Sequence, residues 1–166
     1  MHNKPLAYFI TFTTYGTWLH GDPRKSVMQK DGMPKIVEPN LSLHKQTLDK
    51  LKNQPVYFDI AQRRIVLDTI INHCRIKQRK LWAVHVRTNH VHLLLRSEGK
   101  VELVMEGIKS WATRNLRKAG HNIPKVWTTG GSKKYVFTHE KLKEKIHYVI
   151  YEQGEMMQYY VSEDYH

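Results

Sequence analysis

Cysteine is nearly absent from this chain: Cys74 is the one thiol in 166 residues. A lone cysteine forms no intrachain disulfide and supplies no Cys-x-x-Cys spacing for a closed zinc site. Acidic residues are scarce too, 15 against 27 lysines and arginines, giving a formal charge of +12 and a sequence pI near 9.8. That imbalance indicates a polyanionic partner, whose phosphates would offset the self-repulsion of the compact chain. A merely soluble basic protein is the plainer reading of the same numbers. Long apolar runs are missing as well. Leu6 to Thr13 is too short to cross a bilayer, and the Met-His-Asn-Lys-Pro ahead of it does not make a secretory signal. The expectation is a reducing, cytoplasmic and nucleoid-associated location. The length suits a single domain over 1–166 with one substantial core.

What the chain does have is histidine, eleven in all, two of them in the run Asn-His-Val-His-Leu-Leu-Leu at 89–95. In an extended strand, residues two apart share a face, so His90 and His92 emerge together. They make a two-histidine platform for a metal ion. Two ordinary hydrogen-bonded histidines satisfy the same spacing, so the pattern alone leaves both readings open. Two nitrogens are too few for a closed structural site, and the metal reading therefore takes the form of a catalytic site with open positions. Leu81 to Arg87 also reads as a strand, and Thr88-Asn89 is short enough to turn it into a hairpin. Leu93 to Leu95 then run on into a sheet covered on both faces. An amidohydrolase barrel, another home for His-x-His, needs about 250 residues and is excluded by size.

The rest of the pattern alternates strand and helix. Leu6 to Thr14, aromatic and β-branched by turns, predicts a first strand. Tyr15 to Pro23 breaks it with Gly and Pro, opening a polar loop or insertion at about 22–55 with one short helix near Leu43 to Leu51. Asp59 to about Gln78 is helical, with Leu67, Ile70, Ile71 and Cys74 as its buried stripe. A second helix, Val101 to about Ala119, aligns Val104, Ile108, Trp111 and Ala112 and meets Gly120 as a C-cap. A strand around Lys134 to Thr138 follows the Gly130-Gly131 turn. The order is β-α-β-β-α-β, that of an α+β ferredoxin-like fold: an antiparallel sheet with helices on one face. A third helix, His139 to about Gln153, has Leu142, Ile146, Val149 and Ile150 as its stripe. Tyr148 projects away from the centre of that stripe, and Glu152 lies one turn further along the same face. A tyrosine and a carboxylate left free by packing suit an active site; an exposed tyrosine beside Tyr151 is the plain alternative.

Together these segments carry a resemblance. The NHVHLLL strand, the aromatic first strand AYFITFTTYGTWLHGD at 7–22, VWTTGGSKKYVF at 126–137 and the late helix HYVIYEQGE at 147–155 resemble the single-tyrosine HUH transposases of the smallest insertion sequences. Among these the chain most resembles the REP-associated tyrosine transposases. His-hydrophobic-His alone recurs by chance. Its coincidence with Asn89, the following leucines, the element order and a tyrosine helix near the C-terminus is the specific part.

The resemblance implies a metal-dependent transposase and endonuclease that cleaves and rejoins single-stranded or hairpin DNA. His90 and His92 would match the family's ligands for a divalent ion, magnesium or manganese. Tyr148 would match its nucleophile, giving a 5′-phosphotyrosine link and a free 3′-hydroxyl. Relatives often place a third ligand, Gln or Asn, four residues after the tyrosine; here that position is Glu152, and Gln153 stands at the fifth. Helical geometry favours Glu152. Gln153 serves if the helix unwinds before Gly154, and its Gln-Gly pair resembles the subgroup, so both are carried. Imidazole suits manganese well, whereas magnesium prefers oxygen, so manganese is expected to bind more tightly. A homodimer is a further implication of the family.

For DNA contacts, Lys109, Arg114, Arg117 and Lys118 lie on or near the polar side of the second helix, and Lys133 and Lys134 follow the glycine turn. Tyr15, Trp18 and Trp127 are candidates for stacking on unpaired bases. Each cation has a solvated surface charge as its plain reading, and each tryptophan a place in the core. The tail from Glu155 to His166 either packs on the body or covers the site. The alternative function is a non-catalytic single-stranded nucleic-acid-binding protein on the same fold, which has no need of His90, His92 and Tyr148 together.

Overall fold

The computed structural model describes residues 3–18, 26–30 and 33–165. Strand β1 (Ala7–Thr13) leads through a small hairpin of β2 (Ser26–Lys30) and β3 (Met33–Val37) to helices α1 (Leu41–Asp49) and α2 (Ile60–Ile76). Then come β4 (Leu81–Val86), β5 (His90–Leu95), α3 (Val101–Lys118), β6 (Ser132–Val136), α4 (His139–Tyr151) and β7 (Gln158–Val161). The main sheet runs β6-β1-β5-β4-β7 with every neighbouring pair antiparallel. Without β7, this is the ferredoxin-like strand order expected from the sequence, with β1 inserted between β5 and β6.

Alternation along the strands divides the core in two. Ile10, Phe12, Val84, Val91, Leu93 and Leu95 face α2 and α3, whereas Ala7, Phe9, Ala83 and Leu94 face α4 through Leu142, Ile146, Val149 and Ile150. That double cover is why β5 reads as almost unbroken leucine and valine. Local signals set the helix ends. Asp59 accepts from the Gln62 backbone at 2.8 Å while the Gln62 side chain accepts from the Asp59 backbone at 2.9 Å, a capping box that starts α2. Thr138 caps α4 by accepting from Lys141 N at 3.2 Å.

Two elements go beyond the sequence reading. The insertion holds α1 about where a helix is expected, and also the β2–β3 hairpin, whose register pairs Lys30 with Met33. The part of the Tyr15 to Pro23 break from residue 19 onward lies outside the described residues. In the tail, β7 pairs along β4, with His85 opposite Tyr159, so this part of the chain extends the sheet.

Between α2 and α3, His73 is 2 % exposed, its ring 4.5 Å from that of Trp111, and its Nδ1 has no hydrogen-bond partner. Burial, aided by the charges of Arg79 and Lys77, pushes its pKa down to about 4. Because the folded value lies below the unfolded one, the neutral ring favours the fold above about pH 6.5, and that contribution is lost as pH falls towards 4. His73→Leu is expected to flatten the stability profile over that window by up to roughly 3 kcal/mol. Urea unfolding at stepped pH measures it, and an unchanged slope refutes it.

Candidate functional site

The site forms where β1 and β5 lie side by side. His92 is opposite Thr11 and His90 opposite Thr13, so both imidazoles rise on the face that α4 covers, with ring centroids 4.7 Å apart. Each ring is steadied through Nδ1. Thr11 Oγ1 lies 2.7 Å from Nδ1 of His92, and Asn89 Oδ1 lies 2.8 Å from Nδ1 of His90. An oxygen at Nδ1 directs Nε2 towards a ligand, as in many metal-bound histidines. His92 is buried, and that burial, with the charge of His90 next in effect, pushes its pKa down to about 3. At neutral pH it is an uncharged imidazole, the form that ligates a metal.

The end of α4 supplies a third donor. The helix stops at Tyr151, Glu152 caps it outside helical geometry, and Gly154 reverses the chain at φ +80°. The reversal carries Gln153 beneath the sheet, where Oε1 sits 3.1 Å from His92 Nε2. The amide orientation follows from its other end, since Nε2 donates to the Tyr148 carbonyl at 3.3 Å. Glu152 turns outward, its carboxylate 3.0 Å from His147 Nδ1 on an exposed surface. Of the two residues carried from the sequence, Gln153 is therefore the one brought to the histidines.

The donor set fits a divalent cation. If Nδ1–H of His92 donates to Thr11, its Nε2 and the Gln153 oxygen meet with two lone pairs facing, an arrangement a cation relieves; the other tautomer would instead bond Nε2–H to that oxygen. Two cis ligands at about 2.1 Å from one ion lie about 3 Å apart, close to the separation found. Among the described residues no group of three His, Cys, Asp or Glu side chains could hold a metal. A metal held by the two histidines would take its third protein donor from the neutral amide oxygen of Gln153.

Tyr148 differs from the sequence expectation that its ring is not needed for packing. It is half-buried against the smaller core, 5.9 Å from the His92 ring and 6.0 Å from Phe9, edge-on to both. The physical reason is that α4 lies over β4 and β5, so the flank of its apolar stripe also reaches Phe9 on β1. Lys145, one turn earlier, holds its ammonium 5.4 Å from the centre of the Tyr148 ring and 5.1 Å from that of Phe9.

His85 escapes sequence reading entirely. It is fully buried on β4, with Nδ1 2.8 Å from the Val149 carbonyl and Nε2 accepting from Met157 N at 2.9 Å. A backbone N–H at Nε2 requires the proton on Nδ1, so His85 donates to the last turn of the tyrosine helix and accepts from the returning strand. Arg87 donates to the Glu155 carbonyl at 2.7 Å. The whole reversal that carries Gln153 is pinned to β4.

The expected DNA-binding cations separate. Lys109 is corrected: it is buried, donating to the carbonyls of Thr128 and Gly130 with Glu106 3.5 Å away. It braces the loop that lets Gly131 pack on β1, where a Cβ would lie 2.7 Å from the Thr11 carbonyl. Arg114, Arg117 and Lys118 line a cleft with Ser110 and Thr113 on α3, the layer across the sheet from Tyr148. Lys133 pairs with Glu102. Lys134, exposed and paired in register with Phe9, is on the tyrosine's face. Trp127 is core, between Phe12 and Phe58, with Nε1 donating to the Lys109 carbonyl. Tyr15 also packs against the core, while Trp18, half-buried, stands edge-on to His90 at 6.2 Å.

Residues 40–147 match the sequence model of the family described as Transposase IS200 like, a span that includes both histidines and stops one residue short of Tyr148. Among solved structures, the chain is similar to a REP-associated tyrosine transposase bound to a REP hairpin. The two are 11% identical with a TM-score of 0.53, over 90% of this chain and 67% of that one; at this identity the likeness concerns the fold. No curated protein matches the chain. Fold and sequence match together define a transposase, an enzyme that processes DNA. More particularly, the chain belongs to the IS200-like transposase family.

Proposed function

We propose that this chain is a metal-dependent single-stranded DNA endonuclease and strand transferase that works through a 5′-phosphotyrosine on Tyr148. One observation carries the reading: His90, His92, Gln153 and Tyr148, from two elements far apart in sequence, converge at one end of the sheet. A nucleic-acid-binding surface has no use for that convergence. His90, His92 and Gln153 would hold magnesium or manganese, which when bound supplies a Lewis acid for a phosphate oxygen.

The chemistry of the chain's own residues follows. The Tyr148 oxygen attacks phosphorus, its proton passing to water or a base; the bond from phosphorus to the 3′ oxygen breaks, and that oxygen leaves as a hydroxyl after taking up a proton. The phosphotyrosine ester keeps the bond energy, so attack by another 3′-hydroxyl rejoins DNA and releases the phenol without a nucleotide cofactor. Lys145, beside the Tyr148 ring, offers a positive charge to the phosphate. Trp18 beside His90 offers a face for an unpaired base. The neighbour in fold is described with a REP hairpin, and hairpin-bearing single strands are the substrates we propose here. A homodimer belongs to this reading, and sedimentation measures it. No helix among the described residues is long and apolar enough to cross a membrane.

The reading is tested by incubating the protein with end-labelled single-stranded DNA containing the hairpins that flank its gene, with manganese or with chelator. A denaturation-resistant, manganese-dependent adduct supports it; tight binding with no adduct in any metal supports the binding-module alternative. The third ligand has its own test. Gln153→Ala is expected to weaken manganese binding about 10–100-fold, and Glu152→Ala to change it less than about twofold. Calorimetric titration distinguishes them, and the reverse order assigns the role to Glu152.

A further inference from the structure

A second group of cations gathers at the opposite end of the sheet. The turn from α2 into β4 and the loop after β5 enclose a cavity of about 420 Å³ lined by Lys77, Arg79, Lys80, Arg96, Ser97 and Glu98, among others. Its two walls are tied together by the backbone. Gln78 takes the left-handed conformation at φ 52°, Arg79 N donates to the Cys74 carbonyl at 2.8 Å, and Arg96 N donates to the Lys80 carbonyl at 2.8 Å.

Most charges here already have partners. Lys80 donates to Ser162 and pairs with Asp164, and Glu98 accepts from Lys4 at 2.9 Å. Arg96 has Glu98 no nearer than 3.9 Å, and Lys77 is exposed with its ammonium 5.9 Å from the Trp111 ring. Arg79 is the anomaly: its Nη1 is buried and has no hydrogen-bond partner. A guanidinium nitrogen withdrawn from water without an acceptor is costly, and such a group calls for a specific explanation such as a bound ion. Arg79 lines the cavity, so an anion there would meet its charge together with those of Arg96 and Lys77.

We propose that this cavity is a second DNA site that takes a backbone phosphodiester and anchors the strand away from the point of cleavage. The proposal rests on the DNA-processing reading above, and the family makes DNA the polyanion at hand. Along β5, six residue steps of about 3.3 Å separate His90 from Arg96, roughly 20 Å, or about six nucleotides of stacked strand. A substrate shorter than that reaches Tyr148 without reaching the cavity.

The test uses the full chain and a labelled hairpin with a long single-stranded arm. Binding is measured from 50 to 300 mM salt for the wild type, Lys77→Gln/Arg96→Gln and Arg79→Gln. The double variant changes side chains at the surface, so it remains informative even if Arg79→Gln does not fold. We expect it to bind the long DNA about tenfold more weakly at 0.1 M salt and to reduce the log–log salt slope by about 1–2. Adduct formation on an oligonucleotide trimmed to about four nucleotides either side of the cleaved bond serves as the reference and stays at the wild-type level. An unchanged slope overturns the site. Thermal stabilisation by inorganic phosphate that the variant loses, with no change in the DNA slope, overturns it in favour of a small-anion site. A wild type that forms no adduct while the variant still loses slope counts against the phosphotyrosine chemistry and for the cavity.

Discussion

Tyr148→Phe is expected to abolish the covalent protein–DNA adduct, a loss of at least about a thousandfold, because it removes the one oxygen that would attack phosphorus. The substitution keeps the ring, and the ring makes the packing contacts with Phe9 and His92. Stability should stay within about 0.5 kcal/mol of the wild type and DNA affinity within about twofold. That separation gives the variant its value, since a fall in activity cannot then be ascribed to unfolding or poor binding. An adduct that survives would point to another phenol. Tyr151 is the first to examine, 60 % exposed on the same helix with its ring beside His147, and peptide mapping of the adduct identifies it directly.

His85→Leu should have the second largest effect, through a residue outside the proposed metal ligands. Leucine fills much of the volume but abandons the Val149 carbonyl and the Met157 N–H, both joined to His85 at under 3 Å. Leaving buried backbone groups unpaired costs about 1–3 kcal/mol each, so a loss of roughly 3 kcal/mol is expected in urea unfolding. The catalytic effect has a different origin. The last turn of α4 and the reversal carrying Gln153 lose their common anchor, and a displacement of about 1 Å at reacting groups can cost about a hundredfold. A fall in manganese affinity, measured in conditions where the variant is fully folded, separates this positioning role from destabilisation alone. His85→Gln, which keeps one donor and one acceptor, should recover part of both. Wild-type manganese binding and adduct yield in His85→Leu would refute the assignment.

The sequence made some of this architecture legible for reasons that particular residues explain. The His-x-His pair could be placed on one face of a strand because residues two apart point the same way, and the unbroken leucines after it read as a strand covered on both faces. The apolar stripe of α2 marked a helix from its periodicity alone, and the structure adds the capping box at Asp59 that starts it. Gln153 could be named a candidate but not chosen, because the choice depends on where α4 ends and how Gly154 turns the chain. Lys109 was misleading. It occupies a polar position on an otherwise amphipathic helix, and only the tertiary approach of the Thr128 and Gly130 carbonyls accounts for a buried ammonium there. His85 offers no pattern at all, since its partners lie 64 and 72 residues away. The β2–β3 hairpin did carry a signal, the Asp31-Gly32 pair between its strands, a dipeptide strongly associated with two-residue hairpins. In β7, four residues are too few to display a period.

The pairing of β7 along β4 also bears on how the chain behaves in a crowded solution. A bare strand edge is a template for a foreign strand, and proteins protect such edges with charge or cover. Here β7 occupies the edge of β4, while β6, at the other margin of the sheet, carries exposed Lys133 and Lys134. One margin is thus moved outward from the apolar β4 to the four-residue β7, and the other carries charged side chains. Losing the tail to a protease would uncover the apolar β4 ladder, so a short C-terminal trim threatens solubility as well as chemistry.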